Sequence, residues 1–266
     1  NIPTFICVCP TNEDNHSYDG IIQDSCILNN MNYTEFKKFW EWQSNKKTVY
    51  GKVNDYEYLM ELANKLDLNI DKGPMEAVEK RYLELRRLIL ARDYPSKTDD
   101  KDRLDNGYKK FLADYVKGII RQNLSPDKVL KLDENYKFAL QFLDFTPNTC
   151  LIFDDFTSQL KTLSNFSEKD KEEKWRGIMN TYFTTGRHKM LTIIVACHDP
   201  TQLLPQIREN AHFSILGTKT MALRYITNTF KGDKMSLAIA KAIFEEGSRP
   251  HPYAKPLYDQ VNSKWY

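Results

Sequence analysis

Three textures follow one another along the chain. Residues 1–54 open on the apolar run Thr4–Cys9 and pass through a polar loop, Pro10–Asp19, which leads into Tyr18-Asp19-Gly20. They then place aromatic residues at helical spacing over Tyr33–Gln43. Asn32 stands where a helix cap belongs and Glu35 follows three residues later, so each side chain can accept from the other's backbone N–H. From Asp55 to Pro147 the β signal vanishes. Leu59, Leu62, Ala63 and Leu66 recur at helical spacing, as do Met75, Val78, Tyr82, Leu85 and Ile89, and then Phe111, Leu112, Tyr115, Ile119 and Ile120. Pro95 ends the second of these helices, and Asp93–Asp105 reads as a polar linker. After residue 148 short apolar runs return. Cys150–Phe153, Leu191–Cys197 and His212–Leu216 read as strands. They alternate with helical stretches near Lys171–Thr184, Met221–Phe230 and Ser236–Glu246, the last stopped by Gly247. Strands apolar on both faces and separated by helices predict an α/β fold with a parallel sheet. The expected organisation is a core built from 1–54 and 148–266, with 55–147 as a helical insertion. A coiled-coil arm suits that insertion less well, because its pattern breaks before four heptads.

Composition narrows the classes. With 41% hydrophobic and 12% aromatic residues in 266, the chain can bury a substantial core, which excludes wholesale disorder. The balance of 38 Lys+Arg against 36 Asp+Glu, 38 − 36 = +2, excludes a histone-like polycation and leaves room for a local basic face. Residues 148–266 carry 16 basic and 12 acidic side chains, so they are the more basic part. Within them Lys161, Lys169, Lys171, Lys174 and Arg176 are interleaved with Glu168, Asp170, Glu172 and Glu173, the pattern of a solvated helix face. No apolar run approaches the roughly 18 residues of a membrane span. The five cysteines form an odd set without a CxxC pair, which favours a reducing compartment over a disulfide framework. The five histidines form neither HExxH nor a Cys/His cluster at zinc spacing.

The chemistry gathers where strands end. Leu151-Ile152-Phe153-Asp154-Asp155 is an apolar strand that delivers two carboxylates together at its carboxyl end, where ligands of parallel sheets bind. Phosphoryl transfer needs one carboxylate to hold Mg²⁺ or its water and a second group to orient the attacking water. Asp154 and Asp155 suit those two tasks, the arrangement of a Walker B strand; the same pair also suits a helix cap. His198 ends the run Thr192–His198, where a polar side chain meets a γ-phosphate or the lytic water. Arg187, in Gly186-Arg187-His188, has the guanidinium that an arginine finger uses across a subunit boundary, and Arg208 is its rival. A helix-terminal surface Arg reads the same way.

Taken in order, Leu151–Asp155, Gly186-Arg187-His188, Thr192–His198 and Arg208-Glu209-Asn210-Ala211-His212-Phe213 resemble poxvirus-type genome-packaging ATPases of nucleocytoplasmic large DNA viruses. These belong to the FtsK–HerA branch of P-loop NTPases. The stretch Thr4–Cys9, Pro10-Thr11-Asn12 and Tyr18-Asp19-Gly20-Ile21 is similar to that family's second core strand and following loop. The resemblance covers residues 2–28 and about 148–232. It implies a RecA-like core, ATP and Mg²⁺ as cofactors, and double-stranded DNA as substrate. It also implies a homo-oligomeric ring, capsid or portal proteins as partners, and a setting in the virion or the viral factory of the host cytoplasm. By position, Asp154 resembles the Mg²⁺ aspartate and Asp155 the catalytic acid residue. His198 stands where the family has a glutamine sensing the γ-phosphate, and Arg187 resembles a trans-acting finger.

One departure is an absence. No G-x-x-x-x-G-K-[ST] occurs in the chain: Gly51-Lys52-Val53 lacks the hydroxyl residue, and Gly217-Thr218-Lys219-Thr220 follows the third late strand. The family's loop precedes the strand that opens this sequence, which begins on Asn1. The expectation is therefore a coding sequence that continues upstream with a first strand and a P-loop. Rival readings are a helicase or conjugation-type ATPase, and a catalytically inactive structural or DNA-binding subunit.

Overall fold

The computed structural model describes residues 4–165, 177–199, 203–229, 234–247, 255 and 257–266. The chain divides into two compact units, Asn1–Gln43 with Asn148–Tyr266, and Ser44–Pro147.

The first unit holds a four-stranded sheet in the order β2-β1-β3-β4, from β1 (Thr4–Val8), β2 (Ile27–Leu28), β3 (Thr149–Asp154) and β4 (Leu191–Ala196). Every pairing is parallel, with Thr4 opposite Thr149 and Thr149 opposite Leu191. The fold is thus mixed α/β with a parallel sheet core and a helical insertion. Between β1 and β2 lies a one-turn helix, α1 (Asn12–Asn15), inside what the sequence presents as a plain polar loop. After β2 comes α2 (Tyr33–Val53). Its capping box is formed: the Asn32 side chain accepts from Glu35 N–H at 3.1 Å, and the Glu35 carboxylate accepts from Asn32 N–H at 2.6 Å.

The buried stripe of α2, Phe36, Phe39 and Trp40, packs with Val8, Leu151 and Phe153 of the sheet. Tyr182 lies among the same aromatics, 1% exposed, and donates to the Phe36 carbonyl at 2.6 Å. Burying several such rings, at about 2 kcal/mol each, dominates the stabilisation of this face. At the amino edge of the sheet the buried Gln43 joins strand and helix. Its amide donates to the Lys189 carbonyl at 2.8 Å and accepts from the Thr149 hydroxyl at 3.0 Å.

The second unit comprises the rest of α2, then α3 (Tyr56–Lys65), α4 (Gly73–Ala91), α5 (Lys97–Asn123), α6 (Pro126–Leu130) and α7 (Glu134–Leu140). Its core joins Leu59, Leu62, Ala63 and Leu66 to Val116, Ile120 and Phe142. The expected linker Asp93–Asp105 is a correction: α5 begins at Lys97, and only residues 92–96 join α4 to it. Apolar spacing misses this turn because nothing between Glu76 and Lys110 is fully buried. Tyr82 instead stacks on Tyr108, centroids 4.2 Å apart, and Asp105 accepts from the Tyr82 hydroxyl and from Arg86.

Returning to the first unit, α8 (Thr157–Asn165) follows β3 and α9 (Ile178–Thr185) precedes β4. The expected charged helix Lys171–Thr184 falls partly outside the described residues. Its described part begins at Ile178, after Gly177 in the left-handed region at φ 64°. Beyond β4 come α10 (Pro205–Glu209), β5 (Phe213–Ile215), α11 (Lys219–Thr229), α12 (Lys234–Ala242), β6 (Leu257–Asp259) and β7 (Lys264–Trp265). A second correction concerns His212–Leu216. Its strand is not a further member of the parallel sheet; β5 pairs antiparallel with β6, and β6 with β7, in a separate sheet. Three residues with Phe213 and Ile215 exposed make too short and too open a strand for a sheet centre.

Candidate functional site

Strand order fixes where a site can form. From β1 the chain moves outward to β2 on one side, and β3 lies on the other, so the switch in direction falls between β1 and β3. Crevices of open parallel sheets form at the carboxyl ends of such a pair. Cys9 and Thr11 stand at that end of β1, Asp154 and Asp155 at that of β3, and His198 two residues beyond β4.

The acidic pair is pushed outward by what flanks it. Phe153 and Phe156 are both fully buried and stack with centroids 5.6 Å apart, so residues 154 and 155 turn toward the crevice. Asp155 takes φ 51°, a left-handed conformation costing an L residue about 1–2 kcal/mol. Both its oxygens are held: Oδ2 accepts from the Thr11 hydroxyl at 3.0 Å, and Oδ1 lies 2.9 Å from His198 Nε2. The carboxylate is 27% exposed and the imidazole 87%. Asp154 Oδ2 accepts from the Cys9 thiol at 3.8 Å. Burial first, and then the Asp154 charge, push the Tyr18 phenol well above its ordinary range. Burial, with Cys9 and Asp154 adding to it, pushes the Cys7 thiol up to about 12. Tyr18 therefore stays protonated at any physiological pH.

The loop that supplies Thr11 and Tyr18 is knit by its own side chains. Asn15 donates to the Thr11 hydroxyl at 3.1 Å, Tyr18 N–H donates to the Asn12 side-chain Oδ1 at 3.2 Å, and His16 pairs with Asp19 at 2.9 Å. The fold brings together Asp154, Asp155 and His198, as the sequence suggests, and adds Thr11, which the sequence does not single out. The available signal was a hydroxyl residue three positions past a strand that pairs with the Asp-Asp strand.

Arg187 lies elsewhere. It sits, exposed, in the turn Gly186–Lys189 before the amino end of β4. Five strand steps separate Leu191 from Ala196, about 17 Å, so this guanidinium and the acidic pair are at opposite edges of the sheet. Arg208 is buried and donates to the Leu203 carbonyl. Of the basic run, Lys161 is exposed on α8, while Lys169, Lys171, Lys174 and Arg176 lie outside the described residues. Among the described residues no group of three or more His, Cys, Asp or Glu could hold a metal ion alone, and no helix is long and apolar enough to cross a membrane.

These features define an α/β protein with a carboxylate pair at the switch point of a parallel sheet. No family model and no solved structure matches the chain. It is similar to the uncharacterized protein B354L of African swine fever virus, a large DNA virus. The Warthog/Namibia and Pig/Kenya isolates' proteins are each 25% identical over 236 residues, covering 84% of this chain and 61% of the relative. The chain thus spans less than two thirds of the length of these relatives.

Proposed function

We propose that the chain is part of an ATP-hydrolysing, P-loop (RecA-like) motor that translocates double-stranded viral DNA into a capsid. The observation that supports this most is the convergence of three strand ends on Asp155, beside Asp154. Similarity to a large DNA virus protein supports the viral setting. A second feature agrees. Among the described residues β4 pairs with β3 alone, and Ile194 and Phe5 on one sheet face are 49% and 43% exposed. A further strand beside β4 would bring a phosphate-binding turn to the same carboxyl edge, which the ATPase reading requires and these 266 residues do not encode.

Mg²⁺ fits the acidic pair in one specific way. It takes one or two carboxylates and draws its other ligands from water and phosphate oxygens, so it needs no three-residue protein cage. Asp154 would hold it, and the ion would neutralise charge building on the phosphoryl oxygens. Asp155 orients the attacking water and takes its proton, using lone pairs that Thr11 and His198 leave open. His198, the more exposed partner, donates toward the γ-phosphate once it leaves Asp155. Arg187, facing away from its own subunit's crevice, serves the neighbouring site in a homo-oligomeric ring. Capsid or portal proteins would then anchor that ring in the virion or the viral factory.

The test is nucleotide turnover by the full-length protein with and without duplex DNA. The expected result is DNA-stimulated ATP hydrolysis that Asp155→Asn abolishes while nucleotide binding persists. Unchanged turnover in that variant removes Asp155 from the site. Strand separation in place of duplex translocation would make the protein a helicase, and failure to bind nucleotide would make it a structural subunit.

A further inference from the structure

We infer that the loop between β1 and β2 is a clamp in which Thr11 positions Asp155. The inference rests on the catalytic reading of the acidic pair, yet its geometry stands apart from any nucleotide. Proton inventory fixes the direction of each contact. An ionised carboxylate only accepts, so the single Thr11 hydroxyl proton goes to Asp155 Oδ2, 3.0 Å away. The hydroxyl oxygen is then left to accept, and Asn15 Nδ2 supplies its hydrogen at 3.1 Å. The result is a one-way relay, Asn15 to Thr11 to Asp155, in which each bond polarises the next.

The clamp has something to hold. A non-glycine residue at φ 51° persists only where its surroundings fix it, and Asp155 is gripped from two other strands. Of the two grips, His198 is 87% exposed and free to swing toward a ligand, whereas Thr11 is tied into the loop by Asn15 and by the turn Asn12–Asn15. Thr11 therefore keeps the carboxylate aimed when His198 departs. It is a positioning residue, acting through Asp155. The loop that carries Thr11 is itself knit by Asn12, His16 and Asp19.

Two readouts test this. In the first, this chain is labelled at the aspartate carboxyl carbons and the resonances of Asp154 and Asp155 are followed by NMR. Thr11→Val, which keeps the shape and removes the hydroxyl, should move the Asp155 signal and leave that of Asp154; Thr11→Ser should restore it. If Thr11→Val moves neither signal, or both alike with no rescue by serine, the clamp is wrong. The second readout is turnover by the full-length protein. Thr11→Val should lower kcat by about 10-fold or more with KM for ATP unchanged, and serine should recover it to within about 3-fold. Selective resonance shifts in a protein that never hydrolyses ATP would leave the clamp standing and overturn the ATPase reading. Turnover that withstands Thr11→Val would overturn the clamp alone.

Discussion

Asp155 offers a stability test that needs no knowledge of the reaction. Its φ of 51° lies in the left-handed region, where an L residue is disfavoured by about 1–2 kcal/mol and glycine is not. Replacing it by alanine removes the contacts to Thr11 and His198 and keeps the unfavourable backbone. Replacing it by glycine removes the same contacts and releases the backbone. At an ordinary loop position alanine is the more stable of the two, by about 0.4–1 kcal/mol, because glycine gains more freedom on unfolding. Here the strain outweighs that entropy, and the order should invert, with Asp155→Gly more stable than Asp155→Ala by about 1 kcal/mol. For a chain of this size that is about 2–4 °C in Tm. Urea and thermal unfolding of both variants side by side measure the difference, and the side-chain contacts cancel because both lack them. If alanine equals or exceeds glycine, residue 155 is not left-handed in solution, and the clamp around it loses its physical basis.

Other consequences can be checked in the same preparations. Asn32→Ala should cost about 1 kcal/mol in urea unfolding by leaving the first turn of α2 uncapped. Phe156→Ala should cost about 3–5 kcal/mol, since the ring is fully buried against Phe153 and Phe36, and should abolish turnover with it. Lys117, in the second unit, is 6% exposed and donates to Asn54 at 2.6 Å; burial chiefly, with Arg121 adding and Asp114 opposing, lowers its pKa below 10.5. The folded chain then releases this proton before the unfolded chain does, so the charge-burial cost persists below the folded pKa and is relieved as pH rises toward 10.5. Stability measured against pH should therefore gain an upward contribution on the alkaline side, one that Lys117→Met removes.

The parallel sheet was legible because its information is local. A strand buried on both faces has to be apolar throughout, and Cys150–Phe153 is; Leu191–Cys197 is nearly so, although only alternate residues of β4 are sheltered. The capping box at Asn32 and Glu35 was legible for the same reason, as a three-residue pattern with one geometric solution. What escaped was stabilised by partners far away in sequence. The first turns of α5 show no apolar period because a Tyr82–Tyr108 stack and the Asp105 contacts hold them where the insertion has no buried side chain. The orientation of β5 escaped because its partner is β6, some forty residues on, and apolarity does not encode direction.

The candidate site divides along the same line. Asp154 and Asp155 announce themselves because two carboxylates end an apolar strand and their position at the carboxyl edge follows from the topology. Thr11 does not, since a hydroxyl in a polar loop is ordinary, and only the register of β1 against β3 turns it into a neighbour of Asp155. Val8 stands opposite Phe153, so the residues that follow each strand emerge at the same level of the sheet. Register is therefore the step that converts two unrelated stretches, Pro10-Thr11-Asn12 and Asp154-Asp155, into one constellation. It also separates Arg187 from them. By preceding β4 where His198 follows it, the same register rule sends the guanidinium to the far edge, so any catalytic use of Arg187 has to be intermolecular. Arg187→Ala assembled in excess with Asp155→Asn subunits gives a decisive comparison. A trans-acting arginine lets mixed rings recover turnover at interfaces that pair an intact Asp155 with an intact Arg187; an arginine serving its own subunit leaves every mixture inactive.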